Sequence, residues 1–168
     1  VIDAEAPKQL EISKTSEGTS WGAVYAQFMQ PATDIAETSS GLTVKRELVT
    51  AEDKKIDNLQ TLKVGDKVKV RITIKADRDY DFVQLIDKRA ACLEPINQLS
   101  GYHWGYYIAP KDYTTNYYFD SMAKGTYVVE AEYYIDRVGE YTTGTCTVQC
   151  AYSPEFFGRS KAFTITVK

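Results

Sequence analysis

The 168-residue sequence has few of the residues on which most catalytic and metal sites depend. It contains three cysteines and a single histidine, His103, and it lacks a CxxC pair, a GxSxG motif and a glycine-rich phosphate loop. A nucleophile is usually activated by a nearby histidine, and a structural zinc site usually takes four Cys or His ligands at close spacing. We interpret His103 as a partly exposed loop or strand residue. The sequence therefore predicts no enzyme, no metal site and no cofactor.

An excess of charge of one sign and long apolar runs are also missing. The 20 basic and 23 acidic residues leave a net charge of -3, which gives no electrostatic attraction to nucleic acid. The apolar runs are only a few residues long, too short to span a bilayer. The first twenty residues lack the pattern of a signal peptide, and the chain begins with Val1. We expect it to be an excised piece of a longer polypeptide.

Helical periodicity is absent over any useful length, whereas a period of two recurs along the chain. In DKVKVRITIKA, apolar Val68, Val70, Ile72 and Ile74 alternate with polar residues, as in a strand with one buried and one solvent-exposed face. The alternation recurs in TYVVEAEYYI, TCTVQCAY and FTITVK, and WGAVYAQFM, LTVKRELV and DFVQLID are strand-like by their β-branched and aromatic content. Glycine-containing turns separate these runs. The pattern predicts an all-β fold, an antiparallel β-sandwich of immunoglobulin-like type, formed by residues 1–168 as one domain.

The cysteines are compatible with two states. Cys146 and Cys150 lie four residues apart on a predicted strand, about 13 Å apart and too far to bond to each other. Cys92 could bridge to one of them. Three small buried thiols in a sheet core are the favoured interpretation, because free cysteine is among the most buried residue types.

An acidic cluster, ADRDYD, has two interpretations. Asp77, Asp79 and Asp81 alternate in a way that offers oxygens to calcium, but the glycine and distal glutamate of an EF-hand loop are missing. The favoured prediction is a β-turn in which the short carboxylates accept backbone N–H bonds.

Aromatic residues are concentrated in GYHWGYYIAPKDYTTNYYF, in a chain with 13 tyrosines. Exposed aromatics at this density are typical of a protein interface or of a glycan-stacking surface. Packing within a sheet explains the same residues and is favoured. If the chain were a surface adhesion or glycan-binding module, the candidate residues are Tyr102, Trp104, Tyr106, Tyr107, Tyr113 and Tyr117.

The order of several motifs resembles the carboxy-terminal macroglobulin-like domain of bacterial alpha-2-macroglobulins. The motifs are KGTY at the start of a strand, RVGEY at a turn, and a Tyr-x-Pro-Glu loop that ends in Gly-Arg-Ser. Upstream of them the sequence reads VGDKVKVRITIKADRDYDFVQLIDKRAACLEPINQLSG. WGAVYAQF and LTVKREL look like that domain's first strands. The resemblance covers roughly residues 15 to 168, and residues 1 to about 14 are then expected to be a linker from a preceding domain.

This resemblance implies a role within a larger protein. The family consists of endopeptidase inhibitors in which a protease cuts a bait region and the molecule collapses around it. The chain would be the non-catalytic C-terminal domain, located in the periplasm or on the outer cell surface. Its partners would be other domains of the same polypeptide, and target proteases through the full-length parent.

Many members of the family carry a Cys-x-Glu-Gln thioester, and this chain does not. Cys92 is followed by Leu93, Glu94 and Pro95, so the glutamine is missing. If the parent has a thioester, it is expected to lie in a preceding domain. Ala151 replaces the methionine that often precedes the Tyr-x-Pro-Glu loop, which weakens the idea that this loop shields a thioester.

The stretch AYSPEFFGRS, residues 151–160, is longer than a turn needs to be. We predict an interdomain contact by Tyr152, Pro154, Glu155, Phe156, Phe157 and Arg159. In this hypothesis Tyr152 continues the core face of its strand, Pro154 fixes a backbone angle, and Glu155 pairs with Arg159. The alternative is a self-contained loop that is packed by its own Phe156 and Phe157.

Overall fold

The computed structural model describes residues 11–23, 25 and 27–168, and regular structure in them consists almost entirely of β-strands. The only helical element in these residues is a single 3-10 turn, Ala32–Asp34. The strands are β1 Thr38–Ser40, β2 Leu42–Thr50, β3 Lys67–Ala76, β4 Tyr80–Lys88, β5 Leu93–Pro95, β6 Gly101–His103, β7 Tyr106–Pro110, β8 Thr114–Met122, β9 Gly125–Ile135, β10 Gly139–Thr142, β11 Cys146–Cys150, β12 Phe157–Arg159 and β13 Thr164–Val167. No helix among the described residues has the length and apolarity needed to cross a membrane.

Eleven strands form one continuous antiparallel sheet in the order β5-β9-β3-β2-β1-β12-β11-β4-β8-β7-β6, and β10 pairs with β13 separately. The long sheet folds over on itself. β5, β9, β3 and β2 form one layer, and β11, β4, β8, β7 and β6 form the other. The hydroxyls of Thr115 on β8 and Tyr133 on β9 lie 2.8 Å apart, although these strands are far apart in the sheet order. The fold is therefore the predicted all-β antiparallel sandwich.

The period-two prediction is confirmed in β3 and β9. Ile72 and Ile74 are fully buried, while Lys67 and Lys75 on the same strand are exposed. On β9, Tyr133 is fully buried and Val129 nearly so. Burial of each such side chain contributes roughly 1.5–3 kcal/mol. The alternation is therefore the main reason why the two layers close on each other.

A buried ion pair joins the two layers at β2 and β4. Arg46 Nη1 donates to Asp87 Oδ1 at 2.5 Å, and the two side chains are 2% and 1% exposed. Arg46 Nη2 donates to Thr143 Oγ1 and to the Gly144 carbonyl, both at 2.7 Å. The Phe163 ring lies 4.8 Å from the guanidinium carbon. The charge is thus paired, and most of its N–H donors have acceptors, as a buried arginine requires.

The region before the sandwich differs from the prediction. The chain divides into two compact units, Val1–Gln30 and Pro31–Lys168. The strand predicted over residues 21–29 is wrong for the described residues of that stretch, which carry no strand. A short strand forms only where it can pair and bury a face, and Trp21 is 93% exposed. Residues 1–10 of the predicted linker lie outside the described residues, so that expectation stays a prediction.

All three cysteines are free and buried, as the favoured interpretation predicted. Burial raises the pKa of Cys92 to about 11 and holds the pKa of Cys146 well above its usual value. The thiolate is the reactive form. Near neutral pH and without reductant, we expect no rapid reaction of the folded chain with a thiol reagent such as DTNB, and three equivalents of reaction after denaturation. A single reactive thiol after denaturation would indicate a disulfide and contradict this arrangement.

Candidate functional site

The loop between β11 and β12 is a closed structure with an internal turn. The Phe156 N–H donates to the Ser153 carbonyl at 3.0 Å, which makes a β-turn with Pro154 at its second position, where proline is favoured. The Cys150 N–H donates to the Phe156 carbonyl at 3.0 Å and closes the loop at its base. Pro154 therefore fixes the backbone as predicted, and the loop is held by its own hydrogen bonds.

Phe156 anchors this loop to the sandwich. Its ring lies 5.4 Å from that of Tyr80, and the guanidinium carbon of Arg78 lies 5.1 Å from its centroid. A Cβ at Gly41 would come within 3.0 Å of the Phe156 ring, so the ring is seated against backbone. Phe157 lies in β12, opposite Ser40 and Gln149. Both phenylalanines are half-buried, which agrees with the alternative of a self-packed loop for this part of the stretch.

Next to this anchor, two aromatic side chains project into solvent. Phe82 is 51% exposed and Tyr152 is 80% exposed. Their rings meet edge-to-face with centroids 5.2 Å apart and planes at 90°. The Ala151 N–H donates to the Phe82 carbonyl at 2.8 Å and couples the loop to β4. We call Phe82 and Tyr152 the aromatic pair.

Phe82 has an unusual backbone conformation. Its φ is 53°, a left-handed value that bulky side chains rarely adopt. Its neighbours Asp81 and Val83 pair with β8, and the residue between them is displaced from the ladder. Such a conformation costs on the order of 1–3 kcal/mol and persists where the surroundings enforce it. The fold thus holds an apolar ring outward at a strained position.

Charged groups border the aromatic pair. Arg78 Nε and Nη2 donate to the two carboxylate oxygens of Asp77, each at 3.0 Å, and the Tyr80 hydroxyl donates to Asp77 Oδ1 at 2.6 Å. The hydrogen bonds from Arg78 and Tyr80 lower the pKa of Asp77 to about 2. Asp79 Oδ1 accepts the backbone N–H of Lys124, 45 positions further along the chain, at 2.7 Å. The predicted local turn is therefore not what these aspartates form, because Asp77 binds side chains and Asp81 lies in β4. The Asp77 carboxylate and the Arg78 guanidinium stay ionised across the physiological pH range.

Buried tyrosines give the chain a distinct alkaline titration. Burial raises the pKa of Tyr80 to about 12, and burial also raises the pKa of Tyr117 and Tyr133. A raised folded-state pKa contributes stability that is fully present below about pH 10 and is lost as the pH rises through about 12. We expect phenolate absorbance to show that Tyr80, Tyr117 and Tyr133 ionise late, together with unfolding. A single transition near pH 10 with the fold intact would contradict the burial of these rings.

Two details predicted for the loop are wrong. Tyr152 does not continue the core face, because β11 ends at Cys150 and the chain turns outward there. Among the described residues, Glu155 and Arg159 form no ion pair. Arg159 instead donates from Nε and Nη2 to the Ala36 carbonyl at 3.3 and 3.2 Å, because β12 lies beside β1 and directs this side chain toward the residues before it.

Phe82 and Arg78 are not among the site residues predicted from the sequence, although the sequence around Phe82 shows that the strand is irregular there. In YDFVQLID, Val83 and Leu85 are in phase with each other, while Tyr80 and Phe82 are in the opposite phase. All four apolar side chains cannot lie on one face of a regular strand. The mismatch predicts a break in the strand near residue 82, but it does not predict in which direction the Phe82 side chain points.

The proposed aromatic surface at residues 102–117 is split by the fold. Tyr117 is fully buried in the core, so its assignment to a binding surface is wrong, because it lies on the inward face of β8. Tyr106 is half-buried, and its ring lies 5.8 Å from Tyr117 and 5.5 Å from Phe119. Of the other candidates, Tyr102, Trp104 and Tyr113 are exposed and Tyr107 is half-buried.

The outward tyrosines of this region pack on each other across strands. The rings of Tyr102 and Tyr107 are 4.9 Å apart at 69°, and those of Tyr107 and Tyr118 are 6.4 Å apart at 46°. Tilted cross-strand pairs of this kind stabilise a sheet. They do not present the coplanar faces on which a sugar ring stacks, so the arrangement favours packing over a glycan platform. His103 is exposed and stacks on Tyr106 at 5.4 Å.

Residues that could support metal binding are not brought together in the described part of the chain. No cluster of three or more His, Cys, Asp or Glu side chains suitable for a cation occurs there. The feature that stands out is therefore the aromatic pair with its charged border.

Comparison with protein families shows a match over more than half of the chain. The model of the bacterial alpha-2-macroglobulin MG10 domain matches residues 41–155. A search of curated protein sequences gives no significant match.

Solved structures of bacterial alpha-2-macroglobulins have a similar fold. Salmonella alpha-2-macroglobulin reacted with methylamine superposes with a TM-score of 0.72 at 19% identity, over 82% of this chain and 10% of that one. The Escherichia coli protein from domain MG7 to the C-terminus gives 0.72 at 18% identity, over 82% and 25%. The C-terminal domain of wzt gives 0.50 at 13% identity, over 83% and 82%. The chain thus spans about a tenth of the Salmonella protein, and at these identities the structural likeness shows the fold alone.

Proposed function

The chain belongs to the bacterial alpha-2-macroglobulin MG10 domain family, and from this premise we propose that it is a non-catalytic, C-terminal domain of a larger endopeptidase inhibitor. Its parent traps target proteases, and this domain contributes by packing against neighbouring domains of the same polypeptide. The family match over residues 41–155 and the much greater length of the similar Salmonella chain support this proposal. The same family membership supports a periplasmic or outer-surface location.

The aromatic pair is the observation that supports docking of this domain against its neighbours. An exposed aromatic patch bordered by charges has the composition of an interface centre with a polar rim. The strained φ of Phe82 strengthens the argument, because strain that serves no packing purpose in the domain itself is typical of a functional position. Phe156 and the β-turn at Pro154 hold Tyr152 in place beside it.

The chain itself does not capture proteases covalently in this proposal. The Cys-x-Glu-Gln sequence is missing at Cys92, whose side chain is fully buried and whose pKa is raised to about 11. A buried, protonated thiol is a poor nucleophile and a poor partner for a thioester. If the parent captures proteases covalently, another domain must supply the thioester.

Replacing the aromatic pair in the full-length parent tests the proposal. We expect Phe82→Ser with Tyr152→Ser to loosen the association of this domain, with more than about 1 kcal/mol lost for each hot-spot ring. Small-angle scattering, limited proteolysis and a protease-trapping assay measure this. The matched control is Tyr113→Ser, which removes a 69% exposed ring elsewhere. Unchanged compactness and trapping in the double variant would contradict the docking role.

A second variant separates docking from folding. In the isolated chain, Phe82→Gly is expected to leave the free energy of unfolding unchanged or to raise it, because glycine adopts a φ of 53° without strain. In the parent the same variant is expected to weaken domain packing. Phe156 is a less suitable probe, because its ring is anchored on Tyr80 and its loss would disturb the loop itself.

A further inference from the structure

Residues 21–30, WGAVYAQFMQ, combine exposed apolar side chains with a strand-like sequence. Trp21 is 93% exposed, Tyr25 91%, Phe28 72% and Met29 98%. Single exposed apolar residues are ordinary, but four large ones within nine positions form a patch of the kind that marks an interaction site. We refer to residues 21–29 as the apolar segment.

The sequence of the apolar segment suits a strand that is covered on both faces. Trp21, Ala23, Tyr25, Gln27 and Met29 have one phase of a period-two pattern, and Gly22, Val24, Ala26 and Phe28 have the other. Both phases are mainly apolar, as in strands that are buried on both sides of a sheet. Pro31 follows directly and lacks the N–H that further pairing would need.

Charge is absent from the apolar segment and its surroundings. Between Glu17 and Asp34 the sequence contains no Asp, Glu, Lys or Arg. Charged residues are depleted at the centre of interfaces. An uncharged, β-prone stretch without flanking protection is also an aggregation hazard when it is left exposed. These properties indicate that the segment is covered in the mature protein.

The sandwich begins after the apolar segment in the sequence. Its first strand begins at Thr38, and the family match begins at residue 41. The segment belongs to the separate unit Val1–Gln30. The similar Salmonella chain is about ten times longer than the part that this chain matches. A neighbouring domain of the same polypeptide is therefore the partner within reach, at the high effective concentration that covalent linkage gives.

We propose that residues 21–29 form a β-strand that adds to the open edge of a β-sheet in a neighbouring domain of the same polypeptide. Main-chain hydrogen bonds to that edge supply the strand pairing that the described residues of the segment lack, and the aromatic side chains fill pockets on the faces of that sheet. The inference rests on the part of the proposed function that places the chain within a longer polypeptide. It assigns a second, independent attachment besides the aromatic pair.

Hydrogen exchange on the full-length polypeptide and on the 168-residue chain tests this inference. We expect amides of residues 21–29 to exchange on the order of 100-fold more slowly in the full-length polypeptide, because strand amides open only with the sheet they join. In the 168-residue chain the amides of the segment's described residues, which carry no strand, should exchange at nearly the rate of an unstructured peptide. The double variant Ala23→Pro with Val24→Pro removes donors on both sides of the strand and should abolish the protection. Ser16→Pro, in the polar stretch before the segment, should leave it unchanged.

The outcomes separate this inference from the proposed function. Equal exchange at residues 21–29 in both polypeptides, with the aromatic pair protected in the parent, overturns the strand inference alone. If neither region is protected, both proposals fail. Concentration-dependent protection in the 168-residue chain identifies a second copy as the partner and also overturns the inference.

Discussion

Replacing Arg46 by alanine is expected to lower the free energy of unfolding by about 3–5 kcal/mol. The change leaves the Asp87 carboxylate, which is 1% exposed, without its counter-charge. It also removes the donors to Thr143 and to the Gly144 carbonyl, which connect the loop after β10 to both layers. Urea unfolding of the isolated chain, followed by circular dichroism, measures the effect.

Two comparisons isolate the cause of that effect. Arg71→Ala removes a more exposed arginine paired with Asp53 and Glu130, and should cost about 1 kcal/mol or less. Arg46→Met combined with Asp87→Leu should cost less than Arg46→Ala, because no charge then remains buried alone. An Arg46→Ala variant as stable as Arg71→Ala would contradict the role of this ion pair.

Replacing Gly158 by alanine is expected to destabilise the chain by roughly 1–3 kcal/mol, the range for overpacking a tight site. A Cβ at this position would lie 2.5 Å from the Leu42 carbonyl oxygen and 3.0 Å from its carbon. Both are backbone atoms of β2, so relief requires a shift of a whole strand. This close approach explains the glycine in the Gly-Arg-Ser motif better than any turn does. Thermal unfolding of the isolated chain measures the loss.

Gly101→Ala is the matched control, because no atom lies within 4 Å of a Cβ built there. It should change stability by no more than about 0.5 kcal/mol. Equal stability of the two variants would show that β12 and β2 can separate without cost. The loop that carries Tyr152 would then lack the rigid base that the docking proposal requires.

Period-two alternation was enough to predict the sandwich and most of its core. Strands such as β3 bury every second side chain, and apolar residues alternate in the sequence with the same period. Tyr117 is in phase with Phe119 and out of phase with Tyr118, so the same rule indicates its burial, although we had assigned it to the aromatic surface. The order of the loop motifs supplied the family.

The details of the candidate site depend on contacts that local pattern does not encode. Arg159 bonds to Ala36, a residue 123 positions away, in place of the nearby Glu155. Phe82 projects outward because its φ is positive, and the phase mismatch in YDFVQLID indicates a break there without indicating that conformation. The described residues of the apolar segment have a strand-like sequence but carry no strand, because pairing requires a partner edge as well as propensity.

Side-chain footprinting of the full-length parent tests the central claim most directly. Hydroxyl-radical labelling of Phe82 and Tyr152 in the native parent is compared with labelling in the 168-residue chain, where the two rings are 51% and 80% exposed. If this domain docks through the aromatic pair, both rings are protected in the parent while Tyr113 is labelled equally in the two proteins. Equal labelling of Phe82 and Tyr152 in both would contradict the account.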